Sequence, residues 1–304
     1  MRFFRNGTRT LDYVLKHAFA AAGLTLALLS VVVMTGMTGA RILSGEAIPG
    51  LRFAFLGGLA GLVATSVGAV PAMALRALPQ RVEDALLGGA AGMMLAAGVF
   101  SLLLPGLEAG ALHLGNKGAG AAVVVLGMFL GVFLMLGIES FLPHEHAKSG
   151  PSGLGYERYD RICLFVFAIA VHNLPEGMAI GVGFSQGDMG IGLPLTTAIA
   201  LQDIPEGLAV ALALRAAGLT PGAAVVISAA TGVLELLGAP IGVALSSGLP
   251  LAYPVGLGLA GGAMIFVVSH EIIPETHRNG HQTSATLGLM IGFALMMVMD
   301  TALG

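Results

Sequence analysis

Two polar runs interrupt otherwise apolar sequence thirty residues apart: His172-Asn173-Leu174-Pro175-Glu176-Gly177 and Gln202-Asp203-Ile204-Pro205-Glu206-Gly207. His172 and Glu176 are four apart, as are Gln202 and Glu206; Asn173 and Glu176 are three apart, as are Asp203 and Glu206. On a helix these offsets bring the polar groups onto one face. Imidazole, carboxylate and amide oxygen gathered this way form a ligand set for first-row divalent metals. Each proline also removes a backbone donor, which frees the carbonyls of Val171 and Leu201. In apolar surroundings a freed carbonyl needs a partner, and a cation or an ordered water would serve. The glycine that follows each glutamate lets a neighbouring helix come close.

A further acid, Glu235, lies in the apolar run T-G-V-L-E-L-L-G-A-P. A lone buried glutamate needs a proton or a partner, and here it completes a cluster. Glu176, Asp203, Glu206 and Glu235 are four carboxylates, which two divalent cations would neutralise. Charge counting therefore predicts a binuclear site. The plainer reading is a hydrogen-bonded patch that glues helices together; two matched motifs with three acids and a histidine exceed what glue requires.

These residues need elements to hold them, and the composition says which. Of 304 residues, 56% are hydrophobic and 10% charged, with a mean hydropathy of +0.90. A soluble domain carries about 25% charged residues, so lipid is the expected solvent. Nine apolar spans are predicted, at 18–38, 51–75, 84–107, 119–141, 162–184, 192–214, 221–246, 251–272 and 284–303. An ionisable residue inside such a span costs roughly 2.5–3.5 kcal/mol on insertion scales, so each one asks for a reason. Both proline motifs fall near mid-span on consecutive helices, which run antiparallel. Like motifs on antiparallel helices predict an inverted repeat with a transport site at its centre. The 46 glycines suit close helix packing. The single cysteine, Cys163, excludes a disulfide framework or thiolate cluster within the chain, and the net charge of −3 argues against a nucleic-acid partner.

With the N-terminus inside, eleven Lys and Arg fall in cytoplasmic segments and three, Arg41, Arg52 and Lys117, outside. The positive-inside rule then predicts a cytoplasmic N-terminus and an external C-terminus. The basic head of the first span also fits a signal peptide, but no clear A-x-A cleavage site follows, so a retained helix is expected.

The paired motifs at 172–177 and 202–207 resemble the ZIP (Zrt-/Irt-like) zinc and iron transporter family, in its bacterial GufA-like branch. The resemblance runs from about residue 50 to the C-terminus and includes the histidines near 144–146 and H-E-I-I-P-E-T-H at 270–277. It implies an all-α polytopic fold, with a transporter core at 51–304 of eight helices, preceded by an N-terminal segment and an extra helix at 1–50. It implies zinc as cargo, with cadmium, iron or manganese accepted, uptake across a bacterial inner membrane, a homodimer and an elevator-like movement. The moving bundle would be the spans at 51–75, 162–184, 192–214 and 221–246. By the resemblance, His172, Glu176, Gln202 and Glu206 hold a first metal; Asn173, Asp203 and Glu235 complete a second, with Glu176 and Glu206 bridging. Many members have histidine where Gln202 stands, which leaves the preferred metal open.

Other polar residues fall along the implied path. Glu139, His144, Glu145, His146, His270, Glu271, Glu275, His277 and His281 lie toward the cytoplasmic side and could receive departing metal. Met94, Ser101, Glu108, Met264 and Asp300 lie toward the outside as an entrance; a methionine there also reads as packing. Asp84 reads as a loop charge. Protonation of His172 and the carboxylates would loosen bound metal. Two rival classes remain in view. A metalloprotease would use H-E-x-x-H, but Pro274 occupies the place of the second histidine. A channel would use the same residues as a filter.

Overall fold

The computed structural model describes residues 13–48, 50–142, 144–146, 150–152, 161–247, 249 and 251–303; for 144–146, 150–152, 161, 162, 165, 168 and 169 it describes the backbone alone. The described residues are helical apart from connecting turns and one antiparallel ribbon, β1 (His144–His146) with β2 (Gly150–Ser152). The helices are α1 (Ala18–Leu43), α2 (Leu51–Ala69), α3 (Gln80–Ala97), α4 (Leu104–Leu114), α5 (Lys117–Phe141), α6 (Arg161–Phe184), α7 (Met189–Ala216), α8 (Pro221–Thr231), α9 (Val233–Ser247), α10 (Ala252–Val267), α11 (Ile273–Thr276) and α12 (Gln282–Leu303).

Among the described residues, eight helical stretches are long and apolar enough to cross a membrane. They match eight of the nine predicted spans. The other is α6, whose 24 residues carry the first proline motif and pack among those eight. Turn chemistry sets the boundaries. Asn116 caps α5 by accepting from the Ala119 N–H at 3.0 Å, and Asp188 caps α7 by accepting from the Gly190 N–H at 2.8 Å. Gly115 and Gly187, at φ +63° and +75°, supply the left-handed turns just before these caps.

Three features depart from the simple spans. The third runs as one rod, Gln80–Leu114, because a π-helical stretch at Gly98–Leu103 joins α3 to α4 ahead of Pro105. A second π-helical stretch, Val268–Ile272, joins α10 to α11 ahead of Pro274. Proline cannot donate to the turn before it, and the wider helix absorbs that loss. The seventh span breaks at Gly232, so Glu235 sits in the first turn of α9 rather than mid-helix. The unpaired N–H groups of a helix start favour a carboxylate there.

Glycines at i and i+4 on both partners zip the helices pairwise. Gly88 and Gly92 of α3 meet the backbone of α12, whose Gly288 and Gly292 return the contact. Gly127 and Gly131 of α5 pair likewise with Gly258 and Gly262 of α10, and Gly177 and Gly181 of α6 with Gly238 and Gly242 of α9. Without a hydrophobic force between helices in lipid, such backbone contact is what holds them together. The main apolar core, with Met94, Ile180, Leu195, Ile199 and Met264, lies where these pairs meet.

Helix α1 packs on α5 through Gly23 against Phe133 and Leu24 against Gly137. At its other end Thr38 donates to the Ala244 carbonyl of α9 at 2.7 Å, and Arg41 donates to the Ser247 carbonyl.

Asp84 is not a loop charge. It is buried in the first turns of α3 and gathers the turn before α12: Gln80 and Asn279 donate to Oδ1 at 3.1 and 3.0 Å, and His281 meets Oδ2 at 3.0 Å. Removing the carboxylate leaves these donors with no acceptor, a loss of about 1–3 kcal/mol. An Asp84→Ala variant is expected to unfold at lower temperature in detergent, and an unchanged midpoint would refute this.

Candidate functional site

The two proline motifs meet at the centre of α6 and α7. Carboxylate oxygens of Glu176, Asp203 and Glu206 all lie within 4.8 Å of one another. Gln202 Nε2 donates to Glu176 Oε1 at 2.7 Å, linking the helices directly. Glu235 joins from α9, where its Oε1 accepts from Asn173 Nδ2 at 3.2 Å and from Thr65 Oγ1 at 3.1 Å. Asn173 Nδ2 also lies 3.5 Å from Thr231 Oγ1.

The glycines of the motifs make this possible. A Cβ on Gly177 would strike the Glu235 carbonyl, and one on Gly207 would strike the Thr65 carbonyl. Each glycine thus lets its helix press on the strip of backbone that bears another part of the site.

Polar atoms are left over. Asn173 Oδ1, Glu176 Oε2, Gln202 Oε1, Asp203 Oδ2 and Glu235 Oε2 are buried and accept no hydrogen bond, while Thr196 Oγ1 is a further such oxygen outside the cluster. Buried polar atoms are nearly always satisfied, so each orphan asks for an explanation. The five in the cluster all belong to residues singled out as metal ligands from sequence. An oxygen-rich set of carboxylates and amides fits a divalent cation.

His172 Nε2 meets a carboxylate oxygen of Glu271; Glu206, a member of the cluster, and Glu139 are other charges it faces. The neighbouring His270 pairs with Glu139 at 2.8 Å and stacks on Phe266. The π-helical stretch at Val268–Ile272 presents both His270 and Glu271. Of the residues assigned to the exit path, Glu271 therefore contacts His172 directly, and Glu139 links it to His270.

The remaining candidates divide. His277 is held by the Thr276 hydroxyl, the Ile273 carbonyl and the Thr286 hydroxyl at 3.1, 2.9 and 3.1 Å, so both ring nitrogens are engaged. His281 belongs to the Asp84 knot. The backbone of His144, Glu145 and His146 forms β1, and their side chains lie outside the described residues. On the other side, Ser101 donates to Asp300 at 2.6 Å from within the first π-helical stretch. Met94 and Met264 are buried in the main core, and Glu108 is exposed.

Sequence reasoning placed α2 in the moving bundle but gave it no part in the site. Thr65 touches Glu235, and Gly61 faces it, yet neither residue type announces itself as part of a site. A threonine deep in an apolar span was the one available signal.

Apolar helices sealed around an acidic cluster define a multi-pass membrane protein with polar chemistry at its centre. The family profile described as ZIP Zinc transporter matches residues 143–300. The chain is 59% identical to zinc transporter ZIPB of Bordetella bronchiseptica, over 94% of this chain and 91% of the relative. It is 41% identical to zinc transporter GufA of Myxococcus xanthus, over 81% and 96%, and 28% identical to human zinc transporter ZIP11, over 79% and 94%. The chain belongs to the ZIP family, in its GufA-like branch, a family of transporters and not of enzymes.

Proposed function

We propose that this protein carries zinc across the membrane, into the cytoplasm, through the cluster built from Glu176, Asp203, Glu206 and Glu235. The observation that carries this reading is the set of five orphaned oxygens, all on residues of one cluster. Four carboxylates, three of them buried and Glu206 partly so, call for two divalent cations. His172, Glu176, Gln202 and Glu206 would hold the first, and Asn173, Asp203 and Glu235 the second, with Glu176 and Glu206 shared. Cadmium, iron and manganese are expected competitors, because oxygen ligands with one imidazole do not single out zinc. The relatives' description as zinc transporters supports zinc as the main cargo.

Direction is supported by the exposure of the polar groups. Side chains of His172, Glu271 and Glu139 are 10%, 11% and 14% exposed, and His270 reaches 51%. Metal leaving by way of His172 and Glu271 would meet Glu139 and His270 nearer to solvent. Toward the other side, Met94, Ile180, Ile199 and Met264 are sealed. With N-in topology and nine spans the open side is the cytoplasm of a bacterial cell and the sealed side is external, with Ser101 and Asp300 beyond it.

Movement follows the packing. The glycine-zipped pairs lie within two groups: α6 with α9 in one, α3 with α12 and α5 with α10 in the other. Between the groups the contacts are side chains such as Met94, Ile180, Ile199 and Met264. A seam of side chains can slide where interlocked backbones cannot, which suits an elevator carrying α2, α6, α7, α8 and α9 against the rest. Gly177 and Gly207 pack alike, as an inverted repeat of α6 and α7 would have them. We place two such chains together as a homodimer.

The test is uptake into proteoliposomes with zinc, cadmium, manganese, iron and magnesium in competition. Zinc uptake should saturate and yield to cadmium. Uptake of magnesium alone would overturn the reading, since magnesium prefers a near-octahedral oxygen shell.

A further inference from the structure

We infer that Gly61 and Thr65 of α2 are positioning residues for Glu235 and that they decide whether the cluster holds a second cation; this rests on the two-cation reading above. The hydroxyl and amide donors to Glu235 both fall on one of its oxygens. Its Oε1 accepts from Thr65 and Asn173, at 3.1 and 3.2 Å, and its Oε2 is buried with no partner. What faces Oε2 is Gly61. A Cβ built there would run into Glu235 Oε2 and stand 3.3 Å from Asp203 Oδ2, the other orphaned oxygen of that side. The bare face of Gly61 therefore makes room for Glu235 Oε2 beside Asp203 Oδ2, where carboxylate oxygens from two different helices converge.

Thr65 lies four residues along, on the same face of α2. Its hydroxyl has one proton and two acceptors at equal range, the Gly61 carbonyl and Glu235 Oε1, both at 3.1 Å. Serine and threonine hydroxyls elsewhere in these helices, such as those of Ser66, Thr197 and Ser246, bond a carbonyl of their own turn. Thr65 alone among them also reaches a carboxylate of the cluster. Its proton can solvate Glu235 while no cation is present and return to the backbone once a cation takes up the charge. Partners that orient metal ligands in this way are worth about 10–100-fold in metal affinity.

Helix α2 supplies no carboxylate, imidazole or amide here, so its part is positional. Methylation of position 61 would close the space at Glu235 Oε2 and Asp203 Oδ2 while leaving Glu176, Gln202, Glu206 and His172 untouched.

The experiment is equilibrium binding of zinc and of cadmium to the purified full-length protein in detergent, with bound metal counted by elemental analysis. The parent is expected to bind two equivalents and Gly61→Ala one. Thr65→Val is expected to keep the first equivalent and to weaken the second by about 10–100-fold, and Thr65→Ser to restore it. Two equivalents at parental affinity in both Gly61→Ala and Thr65→Val overturn the inference and leave the two-cation reading standing. A parent that binds one equivalent, unchanged by Glu235→Ala, overturns the two-cation reading and this inference with it. If Gly61→Ala fails to fold, the contrast between Thr65→Val and Thr65→Ser decides the matter: equal second-site affinity in the two refutes the role of α2.

Discussion

Zinc uptake into proteoliposomes is expected to fall by on the order of 100-fold or more when Glu206 is replaced by alanine, since residues that only orient ligands are already worth about 10–100-fold. Glu206 is one of three carboxylates whose oxygens gather within 4.8 Å, and with Glu176 it is shared between the two proposed cations. Its loss would remove a ligand from both. Gln202→Ala is expected to do less, because Gln202 contributes a neutral amide oxygen and a hydrogen bond to Glu176 at 2.7 Å. Normal zinc uptake by a folded Glu206→Ala protein would refute the assignment of the site.

Gly177→Ala is expected to damage both stability and transport, although it removes no ligand. The new methyl carbon would stand 2.6 Å from the Glu235 Cα and closer still to its carbonyl oxygen. Backbone cannot rotate away as a flexible side chain can, so α6 and α9 must separate. Overpacking of this kind costs about 1–3 kcal/mol, read as a lower thermal midpoint in detergent. Separation also draws Glu235 away from Asp203, so zinc uptake should fall even where the protein stays folded. Gly222→Ala is the control, with nothing within 4 Å of the added carbon, and it should behave like the parent. Equal behaviour of the two variants would show that the glycine of the proline motif is not a packing residue.

The helices were legible from composition because lipid leaves the backbone little choice. Every N–H and C=O in an apolar solvent must be satisfied within the segment, so apolar length alone locates a helix. The predicted 119–141 and 284–303 became Lys117–Phe141 and Gln282–Leu303. Less visible were the two π-helical stretches and the break at Gly232. Pro105 and Pro274 marked the first two places, but a proline does not say whether a helix will kink, widen or stop. Asp84 was misread because a charge near the end of an apolar run looks solvated until Gln80, Asn279 and His281 are seen around it.

By itself, the sequence determined which polar residues lie inside the apolar spans. The residue types of the two P-E-G motifs and Glu235, placed inside apolar spans, are the basis on which cation handling is proposed. That inference is local, since spacings of three and four residues set a helix face without reference to the rest of the chain. Only the tertiary structure decided which oxygens remain free, that His172 turns to Glu271, and that α2 stands behind Glu235. Thr65 and Glu235 are 170 residues apart. Their meeting depends on how two helices are rotated about their own axes, and that rotation is set by the packing of glycine against backbone along their whole length.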